Sequence, residues 1–121
     1  MAVERPVLVV DDDTALCETL IDQLADDGEF SATRAASIQE AEARLAEENA
    51  RFDAIILDVG LPDGDGRDLC LRLRKQGHHM PIIMLTGSEG EVDVVHGLDS
   101  GANDYIAKPV KIAVLLARLG G

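Results

Sequence analysis

Short aliphatic runs alternate with longer amphipathic segments along the chain. Three of the runs are continuously apolar: Val7–Val10, Ala54–Leu57 and Ile82–Leu85. A fourth short run lies at Tyr105–Ala107, and a weaker candidate lies at Phe30–Arg34. A strand whose residues are apolar without alternation must be covered on both faces, as in a parallel sheet. The pattern therefore predicts five strands of a parallel sheet with helices on both sides.

The segments between these runs carry apolar residues at helical spacing. The first predicted helix is Thr14–Asp27, and Gly28 follows as its stop. A second begins with the capping-box pair Ser37 and Glu40 and runs toward Asn49. Three more helices are predicted at Gly66–Gln76, Glu91–Ser100 and Val110–Leu119. This fivefold alternation predicts an α/β fold with right-handed crossovers and a doubly wound, five-stranded parallel sheet.

Length and charge narrow the class of protein. The 121 residues suit one domain, 1–121, which could also be part of a longer protein. The chain has 11 basic and 23 acidic residues, a net charge of −12 that repels a phosphate backbone, so no direct binding of nucleic acid is expected. Cys17 and Cys70 form no paired motif and fit a reducing compartment. The absence of a long apolar run predicts a cytoplasmic protein without a membrane span.

Polar side chains follow four of the predicted strands. The first strand runs into Asp11–Asp13, the third into Asp58, the fourth into Thr86 and the fifth into Lys108. Because parallel strands end along one edge of a sheet, and ligands bind there, these groups are predicted to converge. Asp13 precedes a helix and is better explained as its cap.

The convergent groups indicate phosphoryl transfer onto an aspartate. Two carboxylates held about 4 Å apart repel by roughly 4 kcal/mol at an effective dielectric constant of 20, so Asp11 and Asp12 require open water or a cation. Mg²⁺ binds hard oxygen ligands of this kind, and we expect it between this pair and Asp58. Asp58 would then act as the nucleophile toward phosphorus. Lys108 and the Thr86 hydroxyl would contact the phosphoryl oxygens.

At these residues the chain resembles the receiver domain of response regulators, the phospho-accepting proteins of two-component signalling. The resemblance covers nearly the whole chain and rests on four motifs in order, "VLVVDDD", "IILDVGLPDGDG", "PIIMLTG" and "GANDYIAKP". It implies a flavodoxin-like (βα)₅ fold with strand order 2-1-3-4-5.

The resemblance also implies roles for individual residues of the site. Asp12, Asp58 and the backbone carbonyl of Gly60 would bind Mg²⁺ directly, and Asp11 would act through water. Asp58 would be the phospho-acceptor, receiving its phosphoryl group from a histidine kinase or a phosphotransfer protein. The peptide bond before Pro109 is expected to be cis.

A switch and an output face are implied in the same way. Thr86 would move toward the phosphoryl group and Tyr105 into the space that it leaves, altering the face formed by the fourth helix, the fifth strand and the fifth helix. The partner would be a downstream protein or a fused output domain. The chain would promote its own phosphorylation and dephosphorylation, and whether it counts as an enzyme is left open.

The output face departs from receivers that drive winged-helix transcription factors. Those typically dimerise through ion pairs between subunits, and Asp104 and Arg118 suit one such pair. Val94 and Val114 stand where another pair would require charges. We therefore expect a monomer or a weak, phosphorylation-dependent dimer.

Two other classes of protein are considered. A haloacid-dehalogenase-like phosphatase would use Asp11 as its nucleophile in a D-x-D pattern with Asp13, although Ala15 departs from that pattern. A pseudo-receiver would be an interaction domain that never takes phosphate, and the intact set of Asp58, Thr86 and Lys108 argues against it.

Overall fold

The structure is a computed structural model, and it describes residues 4–87 and 101–120. The predicted fourth helix, Glu91–Ser100, and Val94 within it lie outside the described residues. The strands are β1 (Arg5–Val10), β2 (Phe30–Ala35), β3 (Ala54–Asp58), β4 (Gly60–Leu61), β5 (Gly64–Asp65), β6 (Ile82–Thr86) and β7 (Asp104–Ala107). The described helices are α1 (Thr14–Asp27), α2 (Ile38–Ala46), α3 (Gly66–Lys75) and a C-terminal helix, Ile112–Gly120.

Helix ends follow the local signals in the sequence. Gly28 ends α1 with a φ of 80°, a left-handed conformation that glycine adopts without strain. The Ser37 side chain accepts the N–H of Glu40 at the start of α2, as the capping box predicts. The expected continuation of α2 toward Asn49 is wrong: the helix ends at Ala46, and Asn49 has a φ of 65°, which no right-handed helix contains.

The five long strands form one parallel sheet in the order β2-β1-β3-β6-β7. This order confirms the predicted arrangement 2-1-3-4-5, because β4 and β5 form a separate antiparallel hairpin between β3 and α3. The hairpin was not predicted. Its two strands have two residues each, too few to show a periodic pattern.

The core has two layers, one on each face of the sheet. Leu8 and Val10 of β1 belong to one buried cluster, and Val7 and Val9 belong to the other. Successive strand residues point to opposite faces, so a strand covered on both sides needs apolar residues throughout. Among the described residues, no helix has the length and apolar character that crossing a membrane requires.

Candidate functional site

The loop after β1 places three consecutive aspartates in three different environments. Asp11 is fully buried, its N–H donates to Ala35 O at 3.0 Å, and its Oδ1 accepts the N–H of Asp13 at 2.9 Å. Asp13 is the N-cap of α1, because its side chain accepts the N–H of Leu16, as predicted. Asp12 is exposed. The fold thus turns the Asp11 carboxylate inward and leaves Asp12 accessible to solvent.

Asp58 and Lys108 meet beside this loop. Asp58 is the last residue of β3 and is only 6% exposed. Lys108 directly follows β7, and its Nζ lies 3.1 Å from Asp11 Oδ2 and 3.5 Å from Asp58 Oδ1. Its backbone N–H donates to Thr86 O at 2.7 Å. The groups predicted to converge from four strands therefore lie together at the carboxyl edge of the sheet.

The carboxylates form a cluster that fits a divalent cation. One oxygen from each of Asp11, Asp12 and Asp58 lies within 4.8 Å of the others. Asp11 Oδ2 is buried and accepts no hydrogen bond from the described residues, so its ion pair with Lys108 is its polar contact there. An all-oxygen set with one exposed carboxylate suits Mg²⁺, which prefers hard ligands and retains several waters.

Burial and charge shift the pKa values of this site. The pKa of the Asp58 carboxyl is raised to about 6, first by burial and then by the charge of Asp11, while Lys108 opposes the shift. Burial lowers the pKa of Lys108, but the neighbouring carboxylates of Asp11 and Asp58 outweigh burial and raise it. Lys108 is therefore protonated at neutral pH, and a single ammonium group faces two carboxylates. The remaining negative charge favours a bound cation.

The two predicted switch residues lie on neighbouring strands. Thr86 ends β6 and is fully buried. Tyr105 lies on β7 opposite Met84 of β6 and is partly buried. It packs against the core cluster that contains Leu73 of α3. Thr86 thus lies at the site end of the sheet and Tyr105 two register positions away from that end, and their roles in switching stay predictions.

The segment after Asp58 is held close to the acceptor. Gly60 is exposed and begins β4 opposite Asp65. Gly66 begins α3, and a Cβ atom there would lie 2.0 Å from the carbonyl oxygen of Asp58, so only glycine fits this close approach. Whether the Gly60 carbonyl binds a metal stays a prediction.

The Lys108–Pro109 peptide bond, directly after β7, is cis.

The described part of the predicted output face contains an ion pair within the chain. Arg118 Nη1 lies 2.8 Å from Asp104 Oδ2. Val114, on the C-terminal helix, is 38% exposed. Val94 lies outside the described residues, so the predicted relationship between the two valines stays a prediction.

Two residues that support the site were missed in the sequence. Asp63, in the hairpin after Asp58, accepts the N–H groups of Ile38 and Gln39 at 2.9 Å each and so caps α2 from a distant loop. Arg34, near the end of β2, reaches the loop that contains Asp12. The available signal was the strand order, which places the end of β2 beside the acidic loop of β1.

Comparison with known proteins identifies relatives of the whole described fold. The response regulator receiver domain family matches residues 7–120. The transcriptional regulatory protein PmrA of Pectobacterium parmentieri is 40% identical over 113 residues, which are 93% of this chain and 50% of that protein. Response regulator MprA of Mycobacterium sp. (strain KMS) is 42% identical over 113 residues, 93% of this chain and 48% of that protein. This chain thus spans about half the length of these relatives.

A solved structure agrees in fold. The receiver domain of the Francisella response regulator 1452 superposes with a TM-score of 0.86 at 31% sequence identity, covering 97% of this chain and 94% of that one.

Proposed function

This chain belongs to the response regulator receiver domain family, and from that membership we propose that it is a phosphorylation-dependent switch whose acceptor is Asp58. One observation carries the choice of acceptor: Asp58 lies within the cluster of Asp11, Asp12 and Asp58 with its Oδ1 3.5 Å from Lys108 Nζ and is 6% exposed, whereas Asp11 is fully buried. This arrangement supplies a nucleophile, a fixed positive charge and oxygen ligands at one edge of the sheet.

The proposed reaction is in-line transfer from a phosphohistidine. An oxygen of the Asp58 carboxylate attacks the phosphorus of a phosphohistidine on a histidine kinase or phosphotransfer protein. The P–N bond breaks, the electron pair leaves with the imidazole nitrogen, which takes a proton from solvent, and an acyl phosphate remains on Asp58. Lys108 donates to the phosphoryl oxygens and stabilises the charge that develops on them.

Mg²⁺ is the proposed cofactor, held by Asp12, Asp58 and the Gly60 carbonyl, with Asp11 acting through water. When bound, it neutralises charge on the phosphoryl oxygens and orients them for attack. The Asp11 Oδ2 atom, which accepts no hydrogen bond from the described residues, and the exposed Asp12 carboxylate support this donor set. Asp11 Oδ1 accepts a hydrogen bond from the Asp13 N–H, which fixes the carboxylate. A fixed carboxylate suits the proposed contact with the metal through water.

The proposed readout follows from the added charge. An acyl phosphate adds nearly two negative charges, and each new hydrogen bond to it contributes about 1.5–3 kcal/mol, enough to shift a conformational equilibrium a hundredfold when two form. Thr86 would supply one of these bonds, and Tyr105 would occupy the space vacated. The altered face would bind a downstream protein or a fused output domain, in a cytoplasmic signalling pathway.

The phosphatase alternative fits the site less well. The family match argues against a haloacid-dehalogenase-like enzyme, and the Asp11 carboxylate is fully buried, with one oxygen bonded to the Asp13 N–H and the other paired with Lys108. Because the Asp11 carboxylate is fully buried with both oxygens engaged, whereas Asp58 keeps some exposure, Asp58 is the more accessible nucleophile. The pseudo-receiver alternative is decided by the experiment below.

The test is direct phosphorylation. The chain is incubated with Mg²⁺ and acetyl phosphate and its intact mass is measured, with the expected gain of one phosphoryl group. Asp58→Asn abolishes the gain, whereas Asp53→Asn, an acid that pairs with Arg5 away from the site, retains it. An adduct that persists in Asp58→Asn contradicts the assignment, and an unmodified wild type favours the pseudo-receiver.

A further inference from the structure

Arg34 connects the edge strand β2 to the acidic loop of β1. It is the penultimate residue of β2 and lies opposite Val9 of β1. At the next register position the backbone N–H of Asp11 donates to Ala35 O. The end of β2 therefore runs directly beside the loop that contains Asp11 and Asp12, and a long side chain there can reach that loop.

The guanidinium of Arg34 holds two points of that loop. Its Nη2 donates to the backbone oxygen of Asp12 at 3.3 Å and to Thr14 Oγ1 at 3.1 Å. Its Nε is buried and has no hydrogen-bond partner in the described part of the chain. A surface arginine usually keeps its guanidinium in water, so an inward, desolvated Nε indicates a side chain held in place for its contacts with the loop.

A second side chain, that of Cys17, contacts the neighbouring residue Asp11. Cys17 Sγ of α1 donates to the backbone oxygen of Asp11 at 3.3 Å. Burial and the Asp11 carboxylate raise the pKa of the Cys17 thiol, and the charge of Arg34 opposes them. The backbone carbonyl of Asp11 thus accepts a hydrogen bond from Cys17, and that of Asp12 accepts one from Arg34.

The Asp12 carboxylate depends on this support. Asp11 is fixed by its own burial, by the Asp13 N–H and by Lys108. Asp12 is exposed, so its orientation toward Asp11 and Asp58 follows from the backbone of the loop. We propose that Arg34 is a positioning residue that holds the Asp12 carboxylate in place for a divalent cation through the Asp12 carbonyl and the Thr14 hydroxyl. The proposal rests on the proposed metal site and adds a supporting residue to it.

Two effects of Arg34 on cation binding have opposite signs. Its positive charge repels a cation, so removing the charge would tighten binding. Its contacts preorganise a ligand, and removing partners that orient metal ligands typically weakens metal affinity 10–100-fold. The repulsion acts across a solvent-exposed loop and is screened, so loss of position dominates.

The experiment is Mg²⁺ binding by calorimetry without any phosphodonor. Arg34→Met is expected to raise the Kd by about tenfold. Arg44→Met removes the same charge from a half-exposed pair on α2 and leaves the Kd unchanged. Thr14→Val keeps the arginine but removes its hydroxyl acceptor, and it raises the Kd by a smaller factor that disappears in the Arg34→Met background.

A kinetic readout separates positioning from general damage. In Arg34→Met, the Mg²⁺ concentration for half-maximal phosphorylation by acetyl phosphate rises, while the rate at saturating Mg²⁺ stays near that of the wild type. An unchanged or lower Kd in Arg34→Met overturns the proposal. If that variant does not fold, Thr14→Val decides: a raised Kd supports the proposal and a wild-type Kd overturns it.

The two proposals fail differently. A wild-type chain that binds no Mg²⁺ overturns both the metal site and the role of Arg34. Phosphorylation at a residue other than Asp58 overturns the proposed acceptor alone, because the calorimetric comparison of Arg34→Met with Arg44→Met requires no phosphate.

Discussion

Arg118 and Asp104 form an ion pair within one chain, with Nη1 and Oδ2 2.8 Å apart. Both residues were predicted from the sequence to suit an ion pair between subunits of a dimer. Here each charge already has a partner, and the neighbouring Val114 is an exposed apolar residue without a charge to offer. Of the described residues predicted to contribute to a dimer, Asp104 and Arg118 therefore pair with each other and Val114 offers no charge.

Phosphorylation of this chain alone is expected to produce a monomer or a weak dimer. Light scattering at tens of micromolar, with beryllofluoride and Mg²⁺ as the phosphate mimic, measures the oligomeric state. Arg118→Ala should change the free energy of unfolding by no more than about 1 kcal/mol, because the pair is solvent-exposed, and should leave the scattering unchanged. A tight dimer that Arg118→Ala abolishes would contradict this prediction.

The raised pKa of Asp58 predicts a pH-dependent stability of the metal-free protein. Because the folded-state pKa, about 6, lies above the ordinary value of 3.8, the folded chain binds more protons than the unfolded chain between these values. Stability then falls as pH rises through this window. In EDTA at neutral pH, Asp58→Asn should be more stable than the wild type by about 1–2 kcal/mol, after allowance for solvent screening and the lost pairing with Lys108.

Urea unfolding at two pH values measures this difference. The advantage of Asp58→Asn should shrink as the pH falls toward 4, where the wild-type carboxyl is protonated in the folded state. Asp53→Asn serves as the control for a loss of charge outside the site. An Asp58→Asn variant that is less stable than the wild type at neutral pH would contradict the prediction.

Mg²⁺ should stabilise the wild type through Asp12. A cation that binds only the folded state raises the free energy of unfolding by about 1.4 kcal/mol at ten times its Kd. Asp12→Ala should lose most of this gain, yet its metal-free form should be at least as stable as the wild type, because removing an exposed carboxylate relieves repulsion with Asp11 and Asp58. Thermal unfolding with and without Mg²⁺ measures both effects, and equal Mg²⁺ stabilisation of the variant would disprove the role of Asp12.

Asp63, which lies in the turn between β4 and β5, should stabilise the start of α2. The N–H groups of Gln39 and Ile38 lower the pKa of its carboxyl. Its contribution is therefore present at neutral pH and is lost as pH falls through the lowered folded-state value. Asp63→Ala should lower the melting temperature at neutral pH and speed amide hydrogen exchange at Ile38 and Gln39.

The control for Asp63 is Asp22→Ala, which removes an exposed carboxylate from α1. This variant should leave exchange at the start of α2 unchanged. The melting temperatures of Asp63→Ala and the wild type should converge in acid. Unchanged exchange at Ile38 in Asp63→Ala would show that Ser37 alone suffices to cap the helix.

The fold class and the place of the site could be predicted from the order of the residues alone. Continuous apolar runs such as Ala54–Leu57 require cover on both faces, and this requirement produces a parallel sheet with helices on each side. Parallel strands end along one edge, so the order of the chain was enough to bring Asp58 and Lys108 together. The end of α1 at Gly28 and the start of α2 at Ser37 were also predictable from the sequence. Each depends on a backbone conformation or a capping hydrogen bond within a few residues.

The different roles of chemically equivalent residues depend on how distant segments pack together. Asp11 and Asp12 are identical neighbours, yet one is buried against Lys108 and the other is exposed. Asp63 caps a helix 25 residues away, and Arg34 reaches Asp12 from another strand, 22 residues along the chain. Such contacts depend on strand register and on the direction of each side chain, which arise when distant segments pack together and leave no periodic signal in the local sequence.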